Sequence, residues 1–133
     1  MRALTAVLVA AVLAGPPAVA ASLETVLPGS DVHRNARDGD TLRFDLWHLA
    51  PDGGLTGNYR TEREIHNGRL RVLEGPVRGH WTAQGDTFCV EGKGFEAPGR
   101  LCFRLRKGGF GADEYVAVNV DTGFVWQMFI YRR

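Results

Sequence analysis

Two tryptophan–histidine pairs are the residues of this chain whose types best suit contact with a small ligand. His48 follows Trp47, and His80 precedes Trp81. Tryptophan offers a large apolar surface with one N–H donor, and histidine can donate or accept a hydrogen bond near neutral pH. On strands, such pairs either line a pocket or are ordinary residues near the rim of a sheet. The candidate ligand-binding residues are Trp81, Trp126, Tyr59, His48 and His80.

The histidines and serines form no recognised catalytic or metal-binding motif. None of the four histidines lies in an HxH or HExxH pair, so a metal site would need assembly from separate strands. Ser22 and Ser30 are the only serines, and neither lies in a GxSxG motif. We therefore expect no catalytic residues, no metal and no cofactor, and we favour a binding protein over an enzyme.

Four arginines are candidates for a basic patch. Arg69 and Arg71 share one strand face, and Arg104 and Arg106 share another. If these faces adjoin, their guanidinium groups could bind phosphate, lipopolysaccharide or an acidic partner. The alternative, which we favour, is a solvated outer face balanced by nearby glutamates. The net charge of only +1 argues against a protein that binds polyanions through bulk charge, and we expect no nucleic-acid partner.

The two cysteines, Cys89 and Cys102, lie on two predicted strands and allow one intramolecular pairing. They have neither CxxC spacing nor accompanying metal ligands. Phe88 and Val90 share the face opposite Cys89, and the apolar residues around Cys102 likewise face away from it. The pattern predicts a structural disulfide across two adjacent antiparallel strands.

The first twenty residues have the order of a secretory signal peptide. Arg2 precedes an apolar run of about 12 residues, which is shorter than the roughly 20 residues that span a membrane. Gly15-Pro16-Pro17 breaks the run, and Ala18-Val19-Ala20 is a small-residue cleavage pattern. We predict a signal peptide over 1–20, a single domain over 21–133 without a transmembrane segment, and a periplasmic or secreted protein.

The rest of the chain reads as short strands separated by glycine turns. Residues 22–27 predict one helical turn, and Asn67-Gly68 is the best hairpin signal. Alternating residues predict about eight strands: from 41 onward, from about 55 to 65, and over 69–73, 80–84, 87–91, 101–106, 115–120 and 124–131. We predict an all-β antiparallel meander that closes into a small barrel, with a β-sandwich as the alternative.

The aromatic residues are either the filling of this barrel or the lining of its mouth. A barrel of about eight strands is just wide enough to be filled by side chains or to hold one small ligand. We favour a packed interior. The set comprises Trp81, Trp126, Phe44, Tyr59, Phe88, Phe103 and Phe124.

Several short motifs resemble a group of small secreted proteobacterial β-rich proteins of unknown function. They are Gly79-His80-Trp81, the segments 86–90 and 101–103 around the cysteines, and Trp126. The resemblance implies an exported β-rich domain and no established activity, so it supplies no catalytic residues. The architecture is similar to lipocalin-like barrels and to small periplasmic protease-inhibitor barrels at the level of fold.

Two functions fit these observations best. The first is a non-enzymatic exported barrel that binds a small apolar ligand or a cell-envelope component. The second is a protein-interaction module, such as a periplasmic inhibitor or an envelope-assembly factor, that uses residues 22–40 or a loop. An enzyme is the third possibility, and it would need an acid, a base and a histidine that converge in a cleft.

Overall fold

A computed structural model describes residues 22–108 and 111–133, and it is all-β apart from short helical turns. The predicted signal peptide lies outside the described residues. One helical turn, α1, spans Leu23–Val26, and a 3-10 turn spans His66–Gly68. The strands are β1 Asp31–Asp38, β2 Thr41–Leu49, β3 Gly54–Glu64, β4 Leu70–Gln84, β5 Thr87–Lys93, β6 Arg100–Lys107, β7 Glu114–Asn119 and β8 Val125–Tyr131.

The eight strands form a closed antiparallel barrel in which every strand pairs with its neighbours in sequence. Pairing of β1 with β8 completes the ring, with Val32 opposite Ile130. Short connections favour this meander, and closure removes the edges that an open sheet would leave unpaired. The predicted barrel is confirmed, and the β-sandwich alternative is wrong because one continuous ladder of pairs surrounds the interior.

The strand count agrees with the prediction only because two errors cancel. β1 falls within 22–40, where no strand was predicted, and it pairs along its whole length with β2. The predicted strands 69–73 and 80–84 are one strand, β4, which runs without a break through Gly75-Pro76. Pro76 is tolerated because it lies beyond the β4–β5 ladder, whose outermost pair is Arg78 with Lys93.

The interior is filled by one face of each strand. Large side chains with no more than 1% exposure include Trp47, Phe88, Phe103 and Met128. The aromatic rings meet edge to face: the Trp47 and Phe88 centroids lie 6.2 Å apart, and those of Phe103 and Trp126 lie 5.6 Å apart. The predicted packed interior is therefore present along most of the barrel.

The buried face of β2 differs from what its leucine–phenylalanine alternation indicates. Asp45 and Trp47 point inward and are buried, whereas Phe44 and Leu46 lie on the outer face with 38% and 44% exposure. Phe44 therefore neither fills nor lines the interior, and this part of the aromatic prediction is wrong. The inward carboxylate of Asp45 requires a charged partner, which β1 supplies.

One end of the barrel is closed by α1 and by Trp81. Leu23 and Leu27 of this N-terminal turn are buried in the core, with 6% and 0% exposure. The indole Nε1 of Trp81 donates a hydrogen bond to the carbonyl oxygen of Ala50 at 2.8 Å, which ties β4 to the β2–β3 turn.

Among residues 22–108 and 111–133, no helix is long and apolar enough to cross a membrane.

Two local predictions from the sequence are confirmed in detail. Asn67 and Gly68 both have positive φ, 60° and 71°, and they turn the chain between β3 and β4. Cys89 and Cys102 are direct partners on β5 and β6, and they form a disulfide with a Cα–Cα distance of 4.0 Å. The bridge lies outside the barrel because Phe88 and Phe103, next to the cysteines, point inward.

Candidate functional site

A cluster of two arginines and two carboxylates lies inside the barrel, toward the end opposite α1. Arg34 of β1 and Asp45 of β2 are direct cross-strand partners, and both side chains are fully buried. Arg34 donates from Nε and Nη2 to Asp45 Oδ2, at 2.9 and 2.6 Å. Arg43 adds hydrogen bonds to both oxygens of Asp45, and Glu96 accepts from Arg34 Nη2 with both of its oxygens, at 2.8 and 2.9 Å. We call Arg34, Arg43, Asp45 and Glu96 the arginine–carboxylate cluster.

Aromatic rings surround the two guanidinium groups of this cluster. The Arg34 Cζ lies 4.8 Å from the centroid of Trp126 and 5.3 Å from that of Trp47. The Arg43 Cζ lies 4.5 Å from the centroid of Tyr59. Ring faces attract cations most strongly where water is excluded, so these contacts help to hold charges in the interior. The cluster is therefore built into the core of the barrel.

The two carboxylates of the cluster differ in how tightly the barrel holds them. The Asp45 carboxylate is 0% exposed and also accepts a hydrogen bond from the Trp47 indole at 3.3 Å. The Glu96 side chain is 34% exposed and belongs to the β5–β6 connection. Glu96 is thus the one carboxylate of the cluster that can leave without disturbing a strand.

The connection over residues 94–99, which we call the lid loop, folds inward over this end of the barrel. Its Phe95 ring packs edge to face on Trp47, with centroids 5.5 Å apart. Gly94 and Gly99, at its two ends, have φ values of 91° and 93°, a conformation that glycine adopts without strain. The Gly99 N–H donates to the Glu96 carbonyl oxygen at 2.7 Å, which tightens the turn around Glu96.

A cavity of about 310 Å³ opens beside the cluster, and we call it the mouth pocket. Its walls come from β1, β2, β3, β6, β7, β8, the lid loop and the β7–β8 connection, and most of their surface is apolar. Trp126, Leu101 and Phe124 supply the largest apolar surfaces, and Arg43 and Glu96 supply the charges. The lining residues are Ala36, Asp38, Thr41, Arg43, Thr61, Glu96, Ala97, Leu101, Asn119, Thr122, Phe124 and Trp126.

A second, larger depression of about 570 Å³ runs over the outer face of β1–β4. It contains exposed Arg60, which is already paired with Glu62 and with Glu74 at 2.7 and 2.9 Å. Surface ion pairs of this kind contribute little free energy. We favour the mouth pocket as the functional site, because it combines apolar walls with desolvated charges.

One of the five candidate ligand-binding residues, Trp126, lines the mouth pocket. Tyr59 lines the outer depression, and its ring lies against Arg43. Trp81 closes the opposite end of the barrel. His48 lies on the outer face, with its Nδ1 2.9 Å from Asp31 Oδ1, and His80 is exposed on β4.

The four arginines of the candidate basic patch lie in two separate places. Arg69 and Arg71 are at the tip of the β3–β4 hairpin, where Arg71 is opposite Arg63. Arg104 and Arg106 are on β6, which β5 separates from β4. Arg104 lies toward the α1 end, 3.8 Å from Asp86 in the β4–β5 turn. The two faces do not adjoin.

Asp31, at the start of β1, has a carboxyl group whose pKa is clearly shifted. Burial acts to raise its pKa, but hydrogen bonds and positive charge from His48 and Arg133 outweigh burial. The pKa of the Asp31 carboxyl is therefore below its usual value. Burial raises the pKa of the Tyr115 hydroxyl, and nearby Asp113 adds to that shift.

Within the described residues, no group of three or more histidine, cysteine, aspartate or glutamate side chains is placed to hold a metal ion.

Sequence reasoning missed the arginine–carboxylate cluster. Arg34 lies in a strand that the sequence pattern does not predict, and Arg43 and Asp45 are not among the candidate site residues. The available signal was the alternation of Val32, Arg34 and Ala36, in which an arginine occupies an inward position.

A comparison with protein-family models finds none that matches this chain, and no curated protein matches it in sequence. The resemblance to small secreted proteobacterial proteins stays a prediction.

Proposed function

We propose that this protein is an exported barrel that binds a small, largely apolar ligand in the mouth pocket. The observation that carries the proposal is a cavity of about 310 Å³ with apolar walls, at the one end of the barrel that α1 does not close. Small-molecule sites are typically concave, mostly apolar and supplied with a few polar groups. Trp126, Leu101 and Phe124 provide the apolar area, and the arginine–carboxylate cluster provides the polar groups.

Export is part of the proposal. The predicted signal peptide supports it, and the Cys89–Cys102 disulfide is compatible with an oxidising compartment such as the periplasm or the extracellular medium. The ligand would then be a metabolite or an envelope component found outside the cytoplasm.

We do not assign the function to the N-terminal segment. Leu23 and Leu27 are buried in the core, and β1 is paired on both sides. A segment held in this way has little apolar surface to offer a partner protein. Binding through residues 22–40 would first require the release of α1 from the barrel.

Binding of decanol, a neutral apolar probe, tests the proposal. Isothermal titration calorimetry should detect saturable binding to the wild type, and Trp126→Ala should weaken it by roughly tenfold because a large contact surface is lost. Phe129→Ala, on the outer face of β8, is the matched control and should bind like the wild type.

A second variant covers the case in which Trp126→Ala does not fold. Ala97→Trp adds bulk at an exposed position that lines the mouth pocket, and it removes no core contact. It should abolish decanol binding while the circular dichroism spectrum stays that of the wild type. Equal decanol binding by the wild type and Ala97→Trp would refute the mouth pocket as the site.

A further inference from the structure

We propose that Glu96 is an internal counter-ion which the carboxylate of an anionic ligand replaces, so that the ligand is an amphipathic monocarboxylate. The inference rests on the proposed function, and it names the chemical class of the ligand and the residue that competes with it. It starts from the charges of the arginine–carboxylate cluster, which balance only while Glu96 points inward.

The charge balance of the cluster identifies the ligand as a monoanion. Arg34 and Arg43 carry two positive charges, and Asp45 and Glu96 carry two negative charges. If the Glu96 side chain rotates outward, two arginines share the single carboxylate of Asp45, and the desolvated interior keeps one net positive charge. A buried charge of this kind is strongly unfavourable unless an anion pairs with it.

The hydrogen bonding of Arg34 explains how a ligand can compete with Glu96. In the part of the chain that the structure describes, Arg34 Nη1 is a buried nitrogen with no hydrogen-bond partner. Glu96 reaches Nη2 with both of its oxygens and leaves Nη1 unsatisfied. A free carboxylate is not tied to the lid loop, so it can bind Nη1 and Nη2 side by side, the geometry that arginine favours.

The surroundings of Glu96 indicate the rest of the ligand. Glu96 lines the mouth pocket and bonds Arg34, and Trp126 and Leu101 supply apolar surface to the same pocket. A ligand that places its acid group on Arg34 would lay an apolar body against these walls. The site therefore fits an acid with an aliphatic or aromatic tail better than a small hydrophilic anion.

The lid loop has the features that such an exchange requires. Glu96 is 34% exposed, and the loop lies between the positive-φ residues Gly94 and Gly99. The Phe95 ring on Trp47 and a hydrogen bond from Arg43 to the Gly94 carbonyl oxygen also hold the loop. Arg43 Nε lies 3.4 Å from Glu96 Oε1, and the Gly92 N–H donates to the Gly99 carbonyl oxygen at 3.0 Å. The Glu96 side chain can rotate outward while Phe95 stays in place, so the exchange need not unfold the barrel.

Calorimetric titration of decanoate and decanol into three proteins tests the inference. Glu96→Gln removes the competing charge with almost no change in size, and it should bind decanoate roughly tenfold more tightly than the wild type. Its affinity for decanol should stay within about twofold. Glu91→Gln, on the exposed outer face of β5, makes the same charge change away from the site and should leave both affinities unaltered.

A compensating variant separates charge from local shape. Glu96→Gln combined with Arg43→Gln restores a neutral cluster, so the gain in decanoate affinity should disappear. If Glu96→Gln does not fold, the wild type still provides a readout: decanoate should shift the NMR resonance of the Glu96 side-chain carboxyl carbon, whose bonds to Arg34 it replaces, by more than decanol does. Equal shifts with both ligands would contradict the exchange.

The results separate this inference from the proposed function. Decanol binding that depends on Trp126, together with no gain for decanoate in Glu96→Gln, would overturn the inference and leave the proposed function standing. Absence of decanol and decanoate binding from every variant would overturn both.

Discussion

Arg34 and Asp45 are direct cross-strand partners, and their fully buried side chains meet at 2.6 Å inside the barrel. The pair joins β1 to β2 through charge at inward positions of the barrel, among side chains that are otherwise largely apolar. It also fixes the guanidinium that donates to Glu96. The pair therefore connects the strands of the barrel to the proposed ligand site.

Asp45→Asn should destabilise the protein by about 3–5 kcal/mol, because it removes one partner of a buried ion pair and leaves two arginines with a single carboxylate. Urea unfolding followed by circular dichroism measures the change. Asp86→Asn is the control, since Asp86 and Arg104 are more than 60% exposed and lie 3.8 Å apart. It should change stability by less than about 1 kcal/mol. Equal effects of the two substitutions would contradict the structural role of the Arg34–Asp45 pair.

Reduction of the Cys89–Cys102 disulfide should lower stability by about 3 kcal/mol in the chain-entropy account, because the bridge closes a loop with a sequence separation of 13. The melting temperature should fall by several degrees or more, since about 1 kcal/mol corresponds to roughly 4–8 °C in a domain near this size. Differential scanning calorimetry with and without reductant measures it, with thiol titration to verify reduction. An unchanged melting temperature after complete reduction would mean that the bridge contributes nothing to stability.

Two substitutions at Trp81 should separate packing from hydrogen bonding. Trp81→Ala should cost about 3–5 kcal/mol, because the ring is only 9% exposed and its loss leaves a cavity at the closed end. Trp81→Phe keeps much of the ring but cannot donate to the Ala50 carbonyl oxygen. It should therefore cost less than the alanine variant, by an amount that includes about 1 kcal/mol for the lost hydrogen bond. Near-neutral results for both would place Trp81 outside the core.

Asp31 should contribute pH-dependent stability. Its pKa is lowered in the folded state, so its contribution is fully present above the unfolded pKa of about 3.9 and is lost as pH falls through the lower folded value. The stability difference between the wild type and Asp31→Asn should be below about 1 kcal/mol near neutral pH, because His48 and Arg133 are partly solvated. Urea unfolding at a series of pH values should show this difference shrinking in acid. A difference that grows below pH ~4 would contradict the assigned direction of the shift.

The parts of the fold that follow local rules could be predicted from the sequence. The Asn67-Gly68 turn depends on residues that accept positive φ, and the facing of Cys89 and Cys102 depends on a period of two. Both are properties of a few consecutive residues. The pattern of strands and short turns likewise predicts a closed barrel, because a meander of this length has few other ways to cover its edge strands.

The candidate site could not be predicted in the same way, because it depends on contacts between distant residues. Arg34 and Glu96 are 62 positions apart, and each reads locally as an ordinary surface charge. Only the closed barrel shows that Arg34 faces inward with Asp45. The same reason explains the missed strand β1, whose inward face of Val32, Arg34 and Ala36 lacks a clear apolar pattern. On β2 the apolar Phe44 and Leu46 lie on the outer face, so their alternation indicates the wrong inward face of that strand.

The central claim is that the mouth pocket binds a small apolar ligand, and NMR mapping of the decanol-bound protein tests it most directly. Decanol should shift the indole resonance of Trp126 and the amides of Leu101 and Asn119, which line the pocket. The amides of His33 and Asn58, in the outer depression, should not move. Saturable shifts confined to the outer depression, or no saturable shift at any residue, would contradict the account.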